Sequence, residues 1–263
     1  MTFPTRSHGQ KSIRASREPR DLMAETPVRP NSWRASVVTL FPEAFPGVLG
    51  QSLTGTALKS GIWSLRTVDL RRFGLTRHRN VDDAPAGGGA GLVLRPDVVG
   101  AALAETRGSD GKGGPMIYLS PRGRPFTQAM ARDLAAGPGV TLLCGRFEGV
   151  DERVIEHFDM IEVSIGDFVL TGGEIAAQAL LDATVRLLPG VLGNSASTEE
   201  ESFSHGLLEH PQYTKPNEWM GRKIPEVLTS GHHGNVADWR REQSERLTQD
   251  RRPDLWAKYL EKD

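Results

Sequence analysis

The sequence predicts an α/β fold on a parallel sheet, followed by a small helical C-terminal domain, and three observations carry that expectation. Met116–Leu119, Val140–Leu143 and Met160–Val163 are apolar runs of strand length, separated by helix-like segments at about 126–136 and 149–158. Strands alternating with helices at this spacing are characteristic of parallel sheets with crossover helices. A longer stretch, Glu174–Leu188, carries apolar residues at helical spacing and stops at Pro189-Gly190. From Glu218 to Asp263 charged and apolar residues alternate at helical spacing through Trp239, Leu247, Trp256 and Leu260, with a turn at Ser230–Gly234.

The remaining elements follow in chain order. Ser36–Phe41 is a β-prone run ended by Pro42, a helix follows up to Gly61, and Ile62–Leu70 is a second strand. Residues 71–91 read as irregular, leading from Arg71, Arg72, Arg77, His78 and Arg79 into Val81–Pro85 and the glycine cluster of 87–91. Leu92–Leu94 is a short strand candidate, and Pro96 opens a helix to about Thr106. Gly108–Gly114 is a polar loop, and 191–216 is a linker without strong periodicity.

Composition bounds the class. With 38% hydrophobic and 25% charged residues over 263 positions, the chain has material for a sizeable core. No run reaches the roughly 18 apolar residues a membrane span needs. A lone cysteine, Cys144, excludes an internal disulfide and fits a reducing, cytoplasmic location. Residues 1–34 hold seven Lys/Arg against three Asp/Glu with almost no apolar periodicity, so the sequence predicts a disordered extension. Glu18, Asp21 and Glu25 argue against a transit peptide, and Met23 offers an alternative start. Residues 148–201 carry twelve Asp/Glu against only Arg153 and Arg186, so any nucleic-acid contact must use local basic stretches. Arg66, Arg71, Arg72, Arg77, His78 and Arg79 form one such stretch, with Arg240, Arg241, Arg246, Arg251 and Arg252 as another.

The chemistry-bearing signal lies after the three middle strands. Ser120-Pro121-Arg122-Gly123, Cys144–Gly149 and Ile165–Glu174 are glycine-bearing loops, and parallel strands bring such loops to one sheet edge, where ligands of open α/β sheets bind. One such loop is an ordinary tight turn; three converging loops favour a ligand site. The G-x-G-x-x-G dinucleotide pattern is missing after these strands, as is the G-x-x-x-x-G-K-[ST] phosphate loop. His232 and His233 are adjacent and lack a spaced partner set, so no metal site is expected. Cys144, at a strand end without a sequence-adjacent histidine, reads as a buried structural thiol.

The chain resembles the bacterial tRNA (guanine-N1)-methyltransferases, the TrmD family. The resemblance is carried by Leu40–Glu43, Val81–Asp83, Gly87–Gly89, Tyr118–Pro121, Cys144–Arg153, Ser164–Glu174, Pro189–Gly193, Pro211–Thr214 and Ser230–His233, in order and nearly without gaps from about residue 35 to 260. It implies a SPOUT-type parallel sheet with a deep trefoil knot, an obligate homodimer with the active site shared between chains, and methylation of N1 of guanosine 37 in tRNA with S-adenosylmethionine as donor. It further implies a methyltransferase domain at 35–190, an interdomain linker at 191–216 and a tRNA-binding domain at 217–263. By the same similarity Tyr118, Leu119, Ser120, Pro121, Gly145, Glu148, Ile165, Gly166, Asp167, Phe168, Val169 and Leu170 form the cofactor site, and His78, Asp82 and Ser197 contact substrate.

The reaction sets its own demands. Guanine N1 bears a proton at neutral pH, which a positioned carboxylate can remove while a guanidinium stabilises charge building on O6. The family places an arginine before Pro-Gly-Val-Leu-Gly, here Arg186, and a catalytic aspartate in the linker, where this chain has Glu201. Ala86 replaces an aromatic residue usual before the glycines, and Phe147 replaces a tyrosine. A non-catalytic RNA-binding module and a SPOUT enzyme acting on ribosomal RNA or a ribose oxygen are the competing expectations; the C-terminal helical region and Pro211–Thr214 favour the tRNA enzyme.

Overall fold

A computed structural model describes residues 32–75, 77–107, 114–193 and 201–261. Its strands are β1 (Trp33–Thr39), β2 (Trp63–Asp69), β3 (Asp82–Asp83), β4 (Val93–Leu94), β5 (Met116–Pro125), β6 (Gly139–Cys144), β7 (Ile161–Ser164), β8 (Glu218–Trp219) and β9 (Arg222–Lys223). The helices are α1 (Ser52–Lys59), α2 (Pro96–Thr106), α3 (Gln128–Ala136), α4 (Glu152–His157), α5 (Glu174–Val185), α6 (Glu226–Thr229), α7 (His233–Arg251) and α8 (Pro253–Leu260). The main sheet has the order β2-β1-β6-β5-β7, and every pairing within it is parallel.

Side-chain alternation explains the layering. Along β1, Trp33, Ala35 and Val37 enter one core cluster, whereas Val38 enters the other. In β6, Val140, Leu142 and Cys144 face the first cluster and Leu143 the second. The first cluster takes Ala57 of α1, Leu134 of α3 and Ala177, Leu180 and Leu181 of α5. The second takes Val98, Ala102 and Leu103 of α2 with Val154 and Ile155 of α4. Helices thus cover both faces, as a parallel sheet requires.

Local chemistry starts the helices. The Thr127 hydroxyl accepts from the Met130 amide at 3.3 Å, and Asp151 accepts from the Arg153 amide at 3.0 Å, each satisfying a free donor of a first turn. Pro96 occupies the first position of α2, where its missing N–H costs nothing.

Three features differ from the sequence expectation. The first strand begins at Trp33, not at Ser36: the indole is buried and donates to the Leu134 carbonyl at 2.9 Å, so the strand takes in Trp33, Arg34 and Ala35, while residues 1–31 of the extension expected over 1–34 lie outside the described residues. β5 does not end at Leu119. Leu119 and Arg124 both pair with Val163, so Ser120–Gly123 bulges out and the strand resumes to Pro125 opposite Ser164. Gly123 makes this possible, since a Cβ there would sit 2.3 Å from the Val163 amide nitrogen. Finally, Asp82–Asp83, in the stretch read as irregular, pairs with the expected short strand at 92–94 as β3 with β4, and residues 218–223, read at helical spacing, instead form the hairpin of β8 with β9. Met220 and Gly221, both at positive φ, make the tight connection of the second.

The C-terminal segment is tied to the residues before it. Thr248 of α7 is fully buried; its hydroxyl donates to the Ser244 carbonyl at 2.7 Å and accepts from the Leu208 amide at 2.8 Å. Trp256 stacks on Tyr259 within α8, and Tyr213 meets the edge of Trp239. The polar loop expected at 108–114 lies largely outside the described residues. No helix among the described residues is long and apolar enough to cross a membrane.

Candidate active site

The C-terminal ends of β5, β6 and β7 open onto a cavity of about 230 Å³. Tyr118, Leu119, Ser120 and Pro121 line it from β5, Gly145 and Glu148 from the loop after β6, and Ile165, Gly166, Phe168, Val169 and Leu170 from the loop after β7. Of the residues the sequence assigned to a cofactor, only Asp167 is not in the wall. Sequence reasoning missed Arg146, Phe147, Gly149, Val163, Ser164, Thr171, Gly172, Gly173 and Ala176, which also line it. Most belong to the same three loops, so the loop signal pointed to them without singling them out.

Local geometry shapes this wall. The Ser164 hydroxyl accepts from the Gly166 amide at 3.2 Å and donates to the Gly166 carbonyl at 3.0 Å, folding a tight turn directly after β7. Gly166 has φ +151°, and a Cβ there would lie 2.5 Å from the Phe168 ring, so glycine lets that ring fold back over the turn. Phe147, Phe168 and Val169 are exposed at the cavity wall. Tyr118 is buried, and desolvation raises its phenol pKa above the ordinary value of 10.0, so it stays a neutral hydroxyl. Behind the wall, Cys144 is fully buried and its thiol is pushed well above its ordinary pKa by desolvation.

A second segment docks on the loop after β6. The Glu148 amide donates to Leu92 carbonyl oxygen, the Leu94 amide to Gly149, and the Asp151 amide to Leu94, at 2.9, 2.9 and 3.2 Å. These bonds hold β4, and through it Asp82 of β3 opposite Leu94, next to residues 148–151. His78 is exposed.

Arg186 and Glu201 meet, but elsewhere. Arg186 caps the C-terminus of α5, and its fork grips the Glu201 carboxylate through both terminal nitrogens, one of them at 2.6 Å. Hydrogen bonding from Arg186 holds the Glu201 pKa below its ordinary 4.5, with Arg132 adding to the effect. Glu201 is therefore ionised at neutral pH. The pair does not line the cavity, nor do His78 and Asp82. Glu201 instead borders a separate cleft of about 400 Å³ with His205, Leu208, His210, Arg240 and Tyr259 among its walls. Ser197 lies outside the described residues.

Part of the basic stretch is engaged within the chain. Arg66 and Arg72 both pair with Glu105, at 2.6 and 3.3 Å, and Arg71 donates to the Leu40 carbonyl. Arg241 pairs with Glu245 and Arg252 with Asp254, at 3.1 and 2.6 Å. Among the described residues, no three His, Cys, Asp or Glu side chains gather as a metal site.

Comparison with known proteins places the chain in a family. Residues 33–258 match the family model described as tRNA (Guanine-1)-methyltransferase TrmD. Proteins named tRNA (guanine-N(1)-)-methyltransferase are similar along almost their whole length. The one from Ruegeria pomeroyi is 70% identical over 237 residues, covering 90% of this chain and 98% of the relative. That from Rhodospirillum rubrum is 61% identical, covering 87% and 95%, and that from Mesorhizobium japonicum is 60% identical, covering 85% and 96%. With a glycine-lined cavity at the edge of a parallel sheet and a family match across nearly all of the described chain, this protein belongs to the tRNA (guanine-1)-methyltransferase TrmD family.

Proposed function

We propose that the protein methylates N1 of guanosine 37 in tRNA, with S-adenosylmethionine as donor, as a cytoplasmic homodimer whose active sites are shared between chains. The observation that carries this proposal is the convergence of the loops after β5, β6 and β7 on one cavity at the sheet edge. The fit to the donor is chemical: exposed aromatic faces at Phe147 and Phe168 suit an adenine, closely approaching backbone at Gly145 and Gly166 suits its polar edge, and the Glu148 carboxylate suits a cationic group. When bound, S-adenosylmethionine supplies an electrophilic methyl group.

The chain's residues then handle the proton and the charge. Glu201, kept ionised by Arg186, accepts the proton of guanine N1, and the Arg186 guanidinium turns to the developing charge on O6. Arg186 and Glu201 stand away from the cavity of their own chain. We therefore assign them to the cavity of a second copy, which explains why one chain does not hold the full set. Glutamate carries one methylene more than the family's aspartate, a shift of ~1.5 Å in carboxylate position, and the segment that bears it must absorb that difference. His78, Asp82 and Ser197 are assigned to the RNA, with 35–190 as the transferase domain, knotted as in the family, 191–216 as linker and 217–263 as the tRNA-binding domain. The target base has to leave its stack to reach a pocket of this kind.

One assay tests the proposal. Purified protein is incubated with methyl-labelled S-adenosylmethionine and unmodified tRNA carrying either guanosine or adenosine at position 37. The expected result is label in the guanosine transcript alone, recovered as 1-methylguanosine on nuclease digestion. No incorporation, or label on a ribose, overturns it.

A further inference from the structure

From Arg146 in the cavity wall a polar chain that the reaction itself does not require runs into the protein. The Thr39 hydroxyl, at the end of β1, donates to Oε1 of Glu174 at 2.7 Å. Thr39 and Glu174 are 0% and 4% exposed, so both lie within the protein. The other carboxylate oxygen, Oε2, accepts from Arg146 Nε at 3.1 Å, with a second guanidinium nitrogen at 2.9 Å. Arg146 spends its remaining terminal nitrogen on the Thr171 carbonyl at 3.2 Å, and its guanidinium lies over the Phe41 ring, 4.4 Å from the centroid.

This arrangement joins the loops on opposite sides of the cavity. Arg146 belongs to the loop after β6, whereas Thr171 ends the loop after β7 and Glu174 begins α5. The two backbones also touch directly, through an Arg146–Gly172 bridge and a bond from the Gly173 amide to the Gly145 carbonyl at 3.0 Å. A Cβ on Gly172 would stand 2.2 Å from Arg146 Nε, so the guanidinium is seated against the opposing backbone. Burying a carboxylate is costly unless it is paired and its hydrogen bonds are filled, and here Arg146 and Thr39 fill those of Glu174 while Thr171 takes the remaining Arg146 donor.

We propose that Thr39, Glu174 and Arg146 are positioning residues: together they set the spacing between the loops after β6 and β7, and so the affinity of the cavity for S-adenosylmethionine. The relay rests on the cofactor assignment above. Thr39 and Glu174 are not in the cavity wall, so they act through Arg146.

The test uses full-length Arg146→Lys, Thr39→Val and the double variant, at a temperature where each remains folded by calorimetry. Calorimetric titration with S-adenosylmethionine should show binding weakened about tenfold or more in Arg146→Lys, because lysine cannot reproduce the planar fork that reaches Glu174 and Thr171 together. Thr39→Val should weaken binding several-fold in the wild-type background and have no further effect in the Arg146→Lys background, the signature of residues acting as a unit. Steady-state kinetics should show a raised KM for S-adenosylmethionine with the KM for tRNA unchanged. Hydrogen exchange should quicken at the Gly173 amide while β1 and β6 stay protected. Equal affinity in wild type and Arg146→Lys, additive effects of the two substitutions, or exchange that quickens throughout the sheet overturns the relay. Wild-type protein that binds no S-adenosylmethionine refutes instead the cofactor assignment on which it rests.

Discussion

Replacing Arg186 by glutamine removes one half of an ion pair whose geometry sets the size of the effect. The guanidinium grips both oxygens of Glu201, and the side chains are 32% and 27% exposed. Removing one partner of a fully buried pair costs about 3–5 kcal/mol and an exposed pair contributes about 0–1, so this half-buried fork contributes ~1–2 kcal/mol. For a chain of this size that is a fall in Tm of ~2–8 °C at pH 7. The pH dependence follows from the direction of the shift. Glu201 has a folded-state pKa below its ordinary 4.5, so its contribution is fully present above that value and is lost as pH falls through the lower, folded-state value. The difference in Tm between wild type and Arg186→Gln, followed by scanning calorimetry, should therefore be constant from neutrality to about pH 5 and narrow on further acidification. Arg132 still faces Glu201 in the variant, so the carboxyl does not return fully to its ordinary value. A difference that is absent at pH 7, or that does not change with acidification, refutes this account of the pair.

Other substitutions probe other parts of the molecule. Glu201→Asp should raise the methylation rate if Glu201 is the proton acceptor, and Glu201→Gln should lower it by about 10²-fold or more while S-adenosylmethionine binding, read by titration, is held; an unchanged rate in both counts against the assignment. Gly123→Ala drives a Cβ into the Val163 backbone at 2.3 Å, and overpacking of this kind costs about 1–3 kcal/mol or more, visible as a lower Tm or loss of soluble protein. Cys144, fully buried with its thiol pushed up by desolvation, should resist iodoacetamide in the native protein and react at the rate of unfolding in denaturant, as followed by mass spectrometry. Rapid labelling of native protein contradicts that burial.

What the sequence made legible follows from which forces are local. The β-prone run from Ser36 and the run Val140–Leu143 mark strands because their apolar side chains, Val37 and Leu142 toward one cluster and Val38 and Leu143 toward the other, must leave water on both faces. Pro96 opens α2 through its own backbone constraint, so that helix was within reach, whereas α5 ends at Val185, three residues before the expected Leu188. The convergence of three loops was also readable, since a parallel sheet sends its strand ends to one edge. The return of β5 was not: Ser120-Pro121-Arg122-Gly123 looks like a turn, and its continuation exists only because Arg124 and Pro125 find Val163 and Ser164. Trp33 was hidden by the basic segment before it, because its indole partner lies at Leu134. The contact of Thr39 with Glu174 spans 135 positions and leaves no periodic trace. Arg186 and Glu201 were found by resemblance alone; an arginine after an apolar helix and a run of glutamates would otherwise pass for solvated charge.

The Thr248 hydroxyl has a mechanical consequence. From that side chain a short line of hydrogen bonds leads back toward Glu201: Leu208 amide to Thr248, Phe203 amide to the Leu207 carbonyl, and Ser204 amide to the Glu201 carbonyl, at 2.8, 2.8 and 3.1 Å. Each bond fixes a different point of the same short segment, leaving it little slack. The carboxylate-bearing end of the segment is thereby tethered to α7 through these hydrogen bonds. On the proposed function, with RNA on the C-terminal helices and Glu201 at guanine N1, the same bonds join the two ends of the machinery through one short segment.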